Sequence, residues 1–224
     1  MRELIIYGDS VLKGVTYDGQ LKKYRLCRRE FELLAKKGIA VVNESKMGAT
    51  VNIANVIINA TLDNCGENSL VLLELGGNDC NYNWAAVAAD PEALHTPITP
   101  ESEFAEKLGK LIDLIRSKGS TVAVCNLVPI ESQRFIDFVS QGLDKSKILS
   151  FLGDVNMIER WQEYYSRIAE SVALSAGCPI IDLRTPFLKP GVLITNICVD
   201  GIHPTPGGHS IITERLQESV LALI

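Results

Sequence analysis

Five short, almost wholly apolar runs punctuate the chain: LIIY at 4–7, IAVV at 39–42, SLVLLEL at 69–75, TVAVCNL at 121–127 and PIIDL at 179–183. A strand with one wet face alternates apolar and polar residues, whereas a strand covered on both faces need not. Such runs, separated by segments of helical period, predict a parallel, doubly wound sheet with helices on both sides. Leu21, Tyr24, Phe31, Leu34 and Ala35 recur at helical spacing before Gly38. Phe104, Leu108, Leu111, Ile112 and Ile115 do so before Gly119, and Ile158, Trp161, Tyr165, Ile168, Val172 and Ala176 before Gly177. Each stripe predicts an amphipathic helix closed by a glycine. Thr205 as N-cap and Pro206 at the first helical position open a last helix through Ile212, Leu216, Val220 and Leu223. Segments 80–101 and 128–153 break the alternation and carry Pro91, Pro97, Pro100 and Pro129. Loops of that length in a compact domain are more often functional than idle. With no repeat, low-complexity tract or linker, residues 1–224 read as a single domain.

Charge and cysteine content narrow the partners. The net charge is −5 and no basic run exceeds two residues, so the sequence carries no footprint for nucleic acid or an anionic membrane. A small, uncharged molecule is the expected partner. The six cysteines, at 27, 65, 80, 125, 178 and 198, form no Cys-x-x-Cys unit and several sit in apolar segments. They read as free thiols in a reducing compartment, with no metal site. The first strand starts almost at Met1, which leaves no room for a signal peptide, and no run is long enough to span a bilayer. A cytoplasmic location is expected; the oligomeric state is not legible.

In open parallel sheets, ligands bind beyond the carboxyl ends of the strands. Those positions here hold GDS (8–10), NESKMGAT (43–50) and GGND (76–79), while DGIHP (200–204) precedes the last helix. Four polar clusters from distant parts of the chain thus fall on one edge. A serine hydroxyl becomes a useful nucleophile when a base takes its proton and a carboxylate orients that base. Asp200 and His203 are three residues apart, within reach of one another over one turn, and Ser10 lies on the same edge. Gly48 lacks a Cβ, so its N–H can approach a ligand closely; Asn78 offers an amide, and Ser10 its own N–H.

GDSV, MGAT, GGND and DGIHP, in this order, resemble the SGNH (GDSL-like) lipase/esterase superfamily. The likeness covers the whole chain in layout and about twenty residues in identity. It implies a three-layer α/β/α, flavodoxin-like fold with a five-stranded parallel sheet. It also implies Ser10 as nucleophile, His203 as base, Asp200 as orienting acid, and Ser10, Gly48 and Asn78 as the oxyanion hole. The leucine usual after the serine is Val11 here.

The expected activity is that of a serine esterase without cofactor, acting on short acyl (acetyl) esters, possibly on carbohydrate, because the long loops lack an extended apolar run. The alternatives are a thioesterase or lysophospholipase with the same machinery, and a non-catalytic ligand-binding relative. Tyr82, Trp84 and Phe135 are candidates to wall the substrate pocket, as are Asp9 and Asp79. Asp9 also suits a turn cap, and Asp79 a hydrogen-bond partner for the loops. His209 is expected to face solvent, and His95 has no orienting neighbour. Glu74 interrupts the third apolar run, and a buried carboxylate needs a partner.

Overall fold

The computed structural model describes residues 1–223. The strands are β1 (Glu3–Gly8), β2 (Val15–Asp18), β3 (Lys23–Leu26), β4 (Ala40–Asn43), β5 (Ser69–Glu74), β6 (Thr121–Cys125) and β7 (Ile180–Ile181). The helices are α1 (Ser10–Lys13), α2 (Glu32–Lys36), α3 (Val51–Thr61), α4 (Trp84–Ala89), α5 (Glu101–Arg116), α6 (Ser132–Val139), α7 (Lys145–Leu152), α8 (Met157–Ser175), α9 (Val192–Asn196) and α10 (Pro206–Ala222). Five strands make one parallel sheet in the order β4-β1-β5-β6-β7, the flavodoxin-like arrangement expected.

The apolar runs are continuous because both faces of the sheet are covered. Ile5, Tyr7, Val71, Leu73, Val122 and Val124 point to a core closed by Ala54 and Ile58 of α3, Phe104 to Ile115 of α5 and Tyr165, Ala169 and Ala173 of α8. Leu4, Ile6, Leu70, Leu72, Ala123 and Cys125 point the other way, under Leu34 of α2 and Ile212, Leu216 and Val220 of α10. Each fully buried aliphatic or aromatic side chain contributes about 1.5–3 kcal/mol. This two-sided burial holds the strand ends rigid. α10 begins as expected, with the Thr205 hydroxyl accepting the Gly208 N–H at 3.2 Å and Pro206 in its first turn.

Two expectations are corrected. The helix read from Leu21 to Ala35 is instead an antiparallel hairpin, β2 with β3, followed only by the short α2. The 3.6-residue spacing there is coincidental: Leu21, Tyr24 and Leu26 remain exposed, while Tyr17 and Tyr24 pair across the hairpin with ring centroids 5.1 Å apart. Segments 80–101 and 128–153 are not apolar-poor loops either. They hold α4, α6 and α7, whose side chains Trp84, Val87, Phe135, Ile136 and Ile148, together with Ile130 just before α6, join Ile158 in a third apolar cluster. Their short helices alternate too quickly with prolines and polar residues for a long stripe to show in the sequence.

α6 also anchors the loop that carries His203. Gly201 has φ +77°, and its carbonyl accepts the Glu131 N–H at 2.8 Å. A Cβ there would overlap the Phe135 backbone nitrogen and lie 2.6 Å from the Glu131 carbonyl oxygen. Backbone cannot swing aside as a side chain can. Gly201→Ala should therefore lower stability by roughly 3 kcal/mol or more, read as a fall in urea midpoint at unchanged m-value.

Candidate active site

Ser10 is the first residue of α1, directly after β1, because Asp9 ends the strand by capping the helix: its carboxylate accepts the Val11 N–H at 2.8 Å. Asp200 and His203 come from the segment between α9 and α10. That segment is clamped by the Cys198 N–H to the His203 carbonyl (2.8 Å) and by a bridge between Ile197 and Pro204. The sequence separates Ser10 from His203 by 193 residues, yet His203 Nε2 lies 2.9 Å from Ser10 Oγ. His203 Nδ1 lies 2.6 Å from Asp200 Oδ2, and the other Asp200 oxygen accepts the backbone N–H groups of Ile202 and His203, each at 3.2 Å. All three side chains are buried. With Nδ1–H donating to Asp200, Nε2 is left as the acceptor for the Ser10 hydroxyl, the tautomer that proton removal requires.

Gly48 and Asn78 reach the same place. The turn at Gly48 has φ +75°, a left-handed conformation that glycine adopts without strain, and its missing side chain leaves open space. Among the described residues, neither the Ser10 nor the Gly48 N–H donates a hydrogen bond, and both residues border the cavity described below. Asn78 differs: its amide donates to Asp9 Oδ2 at 3.0 Å and to the Ala49 carbonyl at 3.1 Å.

Beside Ser10 opens a cavity of about 270 Å³. Leu127, Val128, Ile130, Phe135, Val139 and Ile158 give it an apolar wall, and Tyr24 and Met47 stand at its rim. The Tyr24 ring meets the His203 ring at 5.1 Å with their planes at 62°. Tyr17 reaches Phe138 at 5.3 Å, so the hairpin closes onto α6 over the histidine.

The remaining candidates divide. Asp9 and Phe135 border the cavity; Asp79, Tyr82 and Trp84 are not among the residues that do. The Asp79 carboxylate accepts the Val51 N–H at the start of α3, at 3.0 and 3.2 Å, and burial pushes its pKa up to about 6. Tyr82 stacks on Trp161 at 5.8 Å and Trp84 packs edge-on against Phe135 at 5.9 Å, so both support the wall from behind. His209 does not face solvent: it is buried, its Nε2 lies 2.8 Å from the Val15 carbonyl, and burial lowers its pKa to about 4. Tyr24 is hidden in the sequence because its spacing fits a helix stripe. Val128 and Ile130 are legible in the sequence, since they follow β6 at its carboxyl end.

The chain also finds its likenesses among known proteins, although no curated protein matches it. It is similar to the solved lipase/acylhydrolase from Enterococcus faecalis, with 18% identity, TM-score 0.63, and 98% of this chain and 95% of that one covered. An acetylxylan esterase from Geobacillus stearothermophilus aligns at 18% identity, TM-score 0.64, over 98% and 94% of the two chains. TesA aligns at 19% identity, TM-score 0.64, over 99% of each. These likenesses establish the shared fold. Residues 6–211 match the family itself, so this chain belongs to the GDSL-like lipase/acylhydrolase family and is a carboxylic ester hydrolase.

Proposed function

We propose that the protein is a serine esterase in which Ser10 attacks the ester carbonyl, His203 takes its proton and Asp200 holds the imidazole. The hydrogen-bonded series from Ser10 Oγ through His203 to Asp200, at 2.9 and 2.6 Å, carries this reading. The transferred proton passes to the leaving alcohol, and a water activated by His203 then releases the acid. The free N–H groups of Ser10 and Gly48 are the first donors to the oxyanion. The Asn78 amide becomes the third by exchanging one of its present bonds. Tyr24, with its ring against His203, borders the leaving-group side.

The acyl group we propose is a medium-length aliphatic one rather than acetyl. The short-acyl expectation rested on loops without apolar surface, and those segments instead fold into α4, α6 and α7. At about 30 Å³ per water-sized group, a 270 Å³ cavity holds on the order of nine such groups, shared between the acyl chain and the reacting ester. Its wall between Leu127 and Ile158 offers apolar contact to a methylene chain and few free polar groups to a sugar.

A fluorophosphonate should label Ser10 in the wild type, and His203→Ala should abolish labelling; an unlabelled Ser10 in folded protein would overturn the nucleophile assignment. Asp200→Asn should lower kcat by about 10³–10⁴-fold with the fold intact, since the imidazole loses its fixed tautomer. Across p-nitrophenyl acetate to decanoate, kcat/KM should peak near hexanoate to octanoate. Ile158→Phe should then move the peak to shorter chains. A maximum at acetate in the wild type would restore the short-acyl reading.

A further inference from the structure

Glu74 is the last residue of β5, paired in register with Gly8, and is almost fully buried at the floor of the cavity. Among the described residues, the one N–H that donates to it is that of Asp9, at 3.3 Å. That bond sets the two side chains side by side, and both carboxyl groups are buried. Two glycines keep room for this pair: a Cβ at Gly8 would lie 3.0 Å from Glu74 Oε2, and one at Gly77 would lie 3.1 Å from Asp9 Oδ2. Among the described residues, neither carboxyl group forms an ion pair. Arg29 attracts Glu74, but its guanidinium bonds the Leu12 carbonyl instead.

Two buried carboxylates cannot both stay charged in contact, so one must hold a proton. Asp9 has acceptor work that calls for its charge: one oxygen takes the Val11 N–H that begins the Ser10 helix, and the other takes the Asn78 amide at 3.0 Å. Glu74 accepts one longer bond, from the Asp9 N–H at 3.3 Å, and is the natural owner of the proton. Consistently, burial and the facing Asp9 push the Glu74 carboxyl well above its ordinary value.

We propose that Glu74 is a positioning residue: as a neutral acid it donates a hydrogen bond to the Asp9 carboxylate and holds the pair at a single negative charge. Asp9 can then fix the Ser10 turn and hold Asn78 without gripping its amide, and no second anion lies beneath the developing oxyanion. The proposal rests on the serine-esterase reading above for its kinetic consequence only. Ionisation of Glu74 would add a negative charge that the transition state feels and the ground state does not, so kcat falls and KM does not. The groups that face the pair are Arg29, Cys125 at the end of β6 and, across Asp9, His203, Asp79 and Cys80.

The test compares wild type, Glu74→Gln and Glu74→Ala across pH, using the p-nitrophenyl ester each hydrolyses best. Wild-type kcat should fall by about tenfold or more on the alkaline side at nearly constant KM. Glu74→Gln, a neutral donor of similar shape, should keep kcat within about threefold at neutral pH and lose the alkaline fall. Glu74→Ala should lower kcat about tenfold or more throughout. An unchanged alkaline fall in Glu74→Gln, no fall in the wild type, or wild-type kcat in folded Glu74→Ala would each overturn the proposal. A second arm needs no turnover, so it separates this proposal from the esterase reading. A carboxyl raised in the folded state binds its proton there after the unfolded chain has lost it. Wild-type stability should therefore fall, relative to Glu74→Gln, as pH rises above the ordinary value of 4.5. Urea unfolding at several pH values reads this, and a constant stability difference would overturn the proposal whatever the kinetics. Should Glu74→Ala fail to fold, the Glu74→Gln arms decide alone.

Discussion

The parallel pairing of β1 with β5, which sets Gly8 opposite Glu74, is the constraint on which the rest of the site depends. Both strands end at this level and both are buried, so whatever follows them must be polar, turned and tightly packed. After β1 the chain turns through Asp9 into the helix that starts at Ser10. After β5 it runs through two glycines to Asn78, whose amide returns to Asp9. The same edge then receives Gly48 from the end of β4 and His203 from the far end of the chain. Rigidity comes from the helices on both faces, and position comes from where the strands stop.

Around this floor the chain adds two walls of different character. One is the apolar cluster of α4, α6 and α7 with Ile158 of α8, of which Ile130, Phe135 and Ile158 line the cavity. The other is the hairpin of β2 and β3, whose Tyr24 lies against the His203 ring while Tyr17 rests on Phe138 of α6. The loop of Gly201 ties the histidine to α6 by backbone contact. The proposed acyl wall and the proposed base therefore share one support, and a change in either is felt by the other.

Among the buried groups that depart from the apolar plan, Glu74 stands out in the sequence, whereas His209 reads there as a solvent-facing residue. Glu74 interrupts a run of leucines and valines, and His209 opens a helix whose inner face it joins. For His209 the structure supplies a single carbonyl partner and a role in tying α10 to β2. For Glu74, among the described residues, it supplies another carboxyl group, one backbone N–H and an Arg29 that makes no ion pair with it, which is too little for a charge at that depth. That imbalance marks it as a neutral acid.

Much of this was determined by the sequence alone. Continuous apolar runs imply two covered faces, hence a parallel sheet, hence a ligand edge, and the residues placed on that edge by simple counting are those that the fold brings together. Capping at Thr205 and Pro206 was equally local and equally legible. What the tertiary structure decided is everything that depends on contacts between remote segments. A 3.6-residue spacing between Leu21 and Ala35 could not reveal that Tyr24 would find more contact across a hairpin and against His203 than along a helix. The polarity of 128–153 could not show which side chains would turn inward to shape the cavity. Nor could the run SLVLLEL name the partner of its glutamate, because the register of β1 against β5 exists only once the sheet has formed.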